Sequence, residues 1–259
     1  MRLVSKAKNF VLIPEKSSNA IVIRRGPAKH VGIFSWNLKT SEIKVSQWVK
    51  GRVYEYYSDV SADGKLFMYS ANKGPTSYTV ISKAPWLKAL SLWKNVGGCG
   101  GGLLVNNRNY ILFDGSESYR EFHTSNLTGM ESDKNLRSSG IYPERLSRFD
   151  WELVEETKEL SIFRKQLGRT SFIEKLWHKW QLSSGSNKPS LWESHRLTLD
   201  GVTTDMEDWE WSEVYKSKIL WSENGCLYEK SIKDFRTTNK PKLIYDFNNE
   251  KIQELVAPY

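Results

Sequence analysis

Short apolar runs broken by polar turns recur along the chain, and the alternation within them is that of strands rather than helices. The fullest unit lies in residues 47–106. Val53, Tyr54, Tyr56 and Tyr57 make a β-rich run, and Ser61-Ala62-Asp63-Gly64 supplies turn chemistry with a glycine able to take positive φ. Residues 66–69, 77–82 and 90–93 complete four strands. The same order returns at 209–214, 218–221, 226–232 and 242–247, with Asn224-Gly225 as a tight hairpin turn. Near the start, 19–25 (NAIVIRR), 31–36 and 42–48 read as three strands, the last two joined by the polar turn 37–41. A period of about 40–45 residues with four strands per repeat is that of a propeller blade.

We therefore expect an all-β, single-domain β-propeller of four-stranded blades, most simply five: 251–257 with 19–48, then 52–94, 98–165, 170–200 and 207–248. The first blade lacks a strand, and the C-terminal 251–257 offers one, because Ile252, Glu254 and Val256 alternate with Gln253, Leu255 and Ala257. Pairing of that strand with the N-terminal strands would close the ring and remove its open edge. Residues 114–147 lose periodicity and read as a surface insertion. Residues 170–182 carry both a capping-box pair, Ser171 with Glu174, and the first arm of a hairpin that returns at 191–199; within a repeat of strands the hairpin is preferred.

Composition fits this picture. Eleven Trp, twelve Tyr and ten Phe suit short strands that pack flat side chains between sheets, and the hydrophobic fraction of 39% is lower than a parallel α/β core would need. Two distant cysteines, Cys99 and Cys226, make neither a disulfide framework nor a zinc site. The only early apolar run, 10–13, is too short for a secretion signal, and nothing approaches a bilayer span. A cytoplasmic protein is the expectation.

Charge is unevenly placed. Residues 1–50 hold ten Lys/Arg against Glu15 and Glu42, so that segment accounts for the whole net charge of +8. Arg24, Arg25, Lys29, Lys39 and Lys44 of this segment, with His123 on the insertion, are the candidate binding residues for an acidic protein partner. No RNA- or DNA-binding motif accompanies them, which disfavours nucleic acid.

Catalytic chemistry is thinly represented. His30, His123, His178 and His195 show no metal-ligand spacing, and neither HExxH nor GxSxG occurs. A facing pair of His178 and His195 across the 170–200 hairpin is one reading, but ordinary polar or packing histidines are the preferred one. The glycine run 97–102 lacks the Lys-Ser/Thr of a phosphate loop and reads as close backbone approach. Asp59, Asp63, Asp114, Asp208, Glu210 and Glu213 are the acids a glycosidase would draw on, two of them at roughly 5–9.5 Å. Trp177, Trp180, Trp192, Trp209, Trp211 and Trp221 read as inter-blade packing before sugar stacking. We expect no cofactor, no metal and no catalytic residue.

The segments 47–54 (QWVKGRVY), 61–67 (SADGKLF), 79–85 (TVISKAP) and 89–93 (ALSLW), with the endings 245–248 (YDFN) and 257–259 (APY), resemble an uncharacterised family of bacterial cytoplasmic proteins. The likeness covers about a quarter of the chain and departs at Cys99, where Trp or Gly would be expected. It implies no activity, so no functional residue carries over. The functional expectation is a non-catalytic protein-binding propeller, of immunity or scaffold type. The alternative is a carbohydrate-active enzyme or lectin that uses the central channel.

Overall fold

The protein is described from a computed structural model, which covers residues 6–26, 30–73, 76–95, 100–113, 118–123, 126–130, 140–179 and 191–259. Those residues form an all-β chain whose strands lie in five sheets of four, three, five, five and four strands. They divide into two compact units, 1–145 with 248–259 and 146–247. Among the described residues no helix is long and apolar enough to cross a membrane.

In the first unit, β1 (Lys8–Leu12), β2 (Asn19–Arg25), β3 (His30–Asn37) and β4 (Ile43–Lys50) form an antiparallel sheet in chain order. The strand missing from the expected first repeat is therefore β1. Residues 251–257 make no strand, which corrects the expected closure by the C-terminus. Burial explains the choice. Phe10, Val11 and Leu12 are buried on β1, whereas Ile252, Leu255 and Val256 of the tail stand exposed. Alternation made the tail capable of a strand, but apolar contact decided which segment is one.

Next come β5 (Arg52–Val60), β6 (Leu66–Lys73), β7 (Thr76–Lys83), β8 (Ala89–Asn95), β9 (Gly102–Leu104), β10 (Asn109–Leu112), β11 (Ser118–His123) and β12 (Thr128–Met130). Strands β5–β8 are the four expected at 52–94, and β11 extends their sheet along β8. A small sheet joins β9, β10 and β12, with β12 parallel to β10. Met68, Ile81 and Trp93 of the larger sheet pack with Leu104 and Tyr110 of the smaller. At Gly101 (φ +99°) a Cβ would run into the Tyr57 carbonyl, so close approach accounts for this end of the glycine run. Residues 96–99 lie outside the described residues.

The middle of β5 leaves the ladder, its register with β6 breaking between Tyr54 and Asp59. Arg145, on the short helix α1 (Ile141–Ser147), replaces the lost partners by donating to the Glu55 carbonyl at 3.1 Å and to the Ser58 carbonyl. Its guanidinium lies over Phe10 and Tyr142, whose rings meet that of Tyr56 edge to face.

In the second unit, β13 (Glu152–Glu156), β14 (Leu160–Gly168), β15 (Ser171–His178), β16 (Trp192–Leu199) and β17 (Val202–Asp205) form one antiparallel sheet. Residues 171–178 are thus a strand, not a helix. The strands at 152–168 belong with this sheet rather than with 98–113, so the span expected as a third repeat is shared among three sheets. The last sheet, β18 (Trp209–Tyr215), β19 (Lys218–Glu223), β20 (Cys226–Ser231) and β21 (Lys242–Asp246), matches its expected four strands. Trp209, Trp211 and Trp221 are buried in it, with Trp209 and Trp221 stacked at 4.9 Å. Trp177 is buried too, which favours the packing role.

Candidate functional site

Strand register separates the basic residues of the first sheet. Arg24 and Arg25 pair with Gly32 and Val31 at one end of β2, whereas Asn19, at its other end, pairs with Asn37. About five residues of extended chain, roughly 17 Å, lie between the two ends. Arg24 is buried with its guanidinium 5.3 Å from the Trp48 ring, and burial lowers its pKa against the opposing charge of Glu250. Arg25 pairs with the buried Glu55 at 2.8 Å. Both arginines thus serve the interior of the first unit.

Lys39 and Lys44 fall at the other end, which holds a cleft of about 370 Å³. Asn19, Ala20 and Ile21 of β2, Ser35 and Asn37 of β3, Glu42 and Lys44 of the β3–β4 hairpin, Gly64, Ala84 and Pro85 line it. Asn37 builds the hairpin turn. Its Oδ1 accepts from the N–H groups of Lys39 (2.9 Å) and Thr40 (3.2 Å), and its Nδ2 donates to Asn19 Oδ1 at 3.3 Å. Ser41 takes φ 62° to finish the turn. Lys44 and Glu42, both largely exposed, pair at 2.8 Å.

The opposite wall is equally fixed. Asp63 Oδ1 accepts from the Ser61 hydroxyl at 2.7 Å and from Lys65 N–H at 3.1 Å, which holds the turn that presents Gly64. Ala84 N–H donates to the Lys65 carbonyl, and the Ser82 hydroxyl to the Trp86 carbonyl at 2.6 Å. The walls are therefore set by short-range bonds before any ligand arrives, which lowers the cost of binding. The cleft offers an ammonium, a carboxylate, two amides and a hydroxyl, and among the described residues no aromatic ring lines it. Those groups suit a polar side chain or chain segment, and the described lining supplies no stacking platform of the kind sugars and bases use.

Of the remaining candidates, Lys29 and Asp114 lie outside the described residues. The backbone of His123 ends β11, and its side chain is likewise outside them. Asp59 is buried and accepts the Leu104 N–H at 2.8 Å. Glu213 accepts from Trp151 Nε1 (3.0 Å) and from Lys165 Nζ (3.1 Å). Asp208 is exposed in a turn and Glu210 is half-buried on β18. Asp59, Asp63 and Glu213 thus serve turns, backbone groups or ion pairs.

His178 and His195 are not opposite each other. The register pairs Lys175 with His195, and His178 with Trp192, whose ring stacks on it at 3.7 Å. Lys175, Glu193 and His195 form a buried charged cluster, with Glu193 Oε2 3.8 Å from both Lys175 Nζ and His195 Nε2. His195 Nδ1 contacts the Trp209 carbonyl at 3.2 Å, so that nitrogen carries the proton. Burial, reinforced by the Lys175 charge, holds the imidazole well below its usual pKa and therefore neutral. Among the described residues no three His, Cys, Asp or Glu side chains gather to hold a metal.

The sequence pointed to Lys39 and Lys44 but not to Asn19, Ser35, Asn37, Glu42 or the 64 and 84–85 loops. The polar turn 37–41 was the available signal. Its convergence with the other loops is a property of register.

No protein-family profile matches the sequence, and no curated protein matches it. Among solved structures, the N-terminal domain of Nup159 is similar at 10% identity over 86% of this chain and 60% of that one, with a TM-score of 0.23. The chain thus spans about 60% of that structure's length. The β-propeller domain of the Trilobed protease from Pyrococcus furiosus, described as having an open velcro topology, is similar at 10% identity over 93% and 85%, with a TM-score of 0.24. At such values the description of the fold rests on the sheets themselves.

Proposed function

We propose that this chain is a non-catalytic protein-binding module, a five-bladed propeller by its repeat, of the immunity or scaffold kind. An acidic segment of its partner enters the cleft beside Lys44. One observation carries the reading: a preformed polar cleft of about 370 Å³ has Lys44 in its lining, with Lys39 in the adjoining turn. A volume of that size holds one or two side chains, not a domain, so the rest of the partner lies on the surrounding surface. The commitment of Asp59, Asp63 and Glu213 to structural bonds supports binding over hydrolysis.

Fluorescence anisotropy with a labelled oligoglutamate peptide tests this. Lys44→Glu is expected to weaken binding roughly fivefold or more, by exchanging attraction for repulsion. Oligolysine should not bind. Unchanged affinity in Lys44→Glu would overturn the assignment, as would turnover of an aryl glycoside.

A further inference from the structure

Residues 248–259 of the first unit have no secondary structure, yet they are pinned along their length. Ala7 N–H donates to Asn248 Oδ1 at 3.0 Å. Gln47 Nε2 donates to the Leu255 carbonyl at 2.9 Å while its Oε1 accepts from Leu87 N–H at 2.7 Å. The Tyr259 hydroxyl accepts from Lys83 N–H at 3.0 Å and donates to the Lys88 carbonyl. Its ring centre lies 4.6 Å from Lys83 Nζ and 5.2 Å from Lys88 Nζ. Two of these three pins therefore grip the segment 83–88, the same segment that gives Ala84 and Pro85 to the cleft wall.

Between the pins, apolar side chains face water: Ile252 is 53% exposed, Leu255 38% and Val256 87%. Scattered exposed apolar residues need no explanation. Three within five residues, on a segment held in place rather than free to collapse, form a patch. The patch borders on cations, because Gln47 ties Leu255 to Leu87 and Tyr259 sits between Lys83 and Lys88.

We propose that the cleft and the tail are one continuous docking surface. Its occupant is an extended segment of a partner protein in which acidic and apolar side chains are interspersed. This rests on the reading of the cleft as a protein-binding site and names the chemistry of what binds. Carboxylates of the segment meet Lys44, Lys83 and Lys88, and its apolar side chains cover Ile252, Leu255 and Val256. A purely anionic ligand would leave the apolar patch wet, and a purely apolar one would find no use for the ammonium groups. Tyr259 and Gln47 act as positioning residues, since they hold the tail and the cleft wall in one arrangement.

The test uses the full chain and three labelled peptides of about eight residues, roughly 26 Å when extended: alternating Glu/Leu, Glu/Gly and Lys/Leu. Glu/Leu is expected to bind about tenfold more tightly than Glu/Gly, and Lys/Leu weakest of the three. Val256→Ser should weaken Glu/Leu roughly tenfold and leave Glu/Gly within about twofold, because it removes apolar contact without adding charge. Tyr259→Ala should weaken both acidic peptides. Equal binding of Glu/Leu and Glu/Gly, or no effect of Val256→Ser, would sink the continuous surface while leaving the cleft standing. If Val256→Ser acts but Lys44→Glu does not, the cleft assignment is what fails. Val256 is exposed enough that its substitution leaves folding untouched.

Discussion

His195 shows how one side chain can tie local chemistry to stability. Its Nδ1–H is spent on the Trp209 carbonyl and its ring is fully enclosed beside Lys175 and Glu193. Protonation would add a second cation next to the Lys175 ammonium in a fully buried place, and burial and that charge together depress the pKa. The unfolded chain carries an ordinary histidine that titrates near 6.5. Below that pH the unfolded state binds a proton the folded state refuses, so stability falls as pH falls, by up to about 1.4 kcal/mol per pH unit for this one group. Above it the contribution is fully present. Urea unfolding between about pH 7.5 and pH 5 should show this slope in the wild type and a shallower one in His195→Gln. Equal slopes would mean that His195 accepts its proton in place. Sequence reading ranked this histidine as an ordinary packing residue, and the structure agrees on burial. Its Lys/Glu company was invisible, because Lys175 and Glu193 look like solvent-facing charges until register sets them on the covered face of their sheet.

Elements were the most legible level. Strands β5–β8 and β18–β21 lie where alternation and turn chemistry put them, since both signals are local. β1 was missed because Phe10-Val11-Leu12-Ile13 is an unbroken apolar run, which reads neither as an alternating strand nor as a helix. The C-terminal segment was misplaced for the opposite reason: it alternates well but buries little. The break in β5 had no signal either, because its partner Arg145 is about ninety residues away. That pairing makes a prediction. Arg145→Met would strand the Glu55 and Ser58 carbonyls in a covered site, at a cost of about 2–4 kcal/mol. Arg145→Lys, which keeps the charge but loses the planar fork, should cost less than Arg145→Met. Denaturant midpoints of the two variants would rank them, and the reverse order would show that β5 is held in some other way.

At the level of the whole molecule, a net charge of +8 suggests a positive face that draws in an acidic partner over a distance. The strand register reduces that inference to fewer groups. Arg24 and Arg25 are used internally, and Lys44 shares its charge with Glu42, so the field at the cleft comes from a handful of lysines rather than from the full formal charge. Binding of an acidic segment should then depend on salt, but moderately. Raising ionic strength from about 50 mM to about 300 mM shortens the screening length to several ångströms and should cut the association rate of the Glu/Leu peptide several-fold. Dissociation should change little, because the apolar patch on the tail, which salt does not weaken, sets the lifetime of the complex. Stopped-flow measurement at the two salt concentrations separates the terms. A salt effect confined to dissociation would mean that the lysine–carboxylate contacts, rather than the apolar patch, set the lifetime of the complex. A loss of affinity of several orders of magnitude would mean that many more cations reach the ligand than Lys39, Lys44, Lys83 and Lys88, and would return the arginines at the far end of β2 to the binding surface.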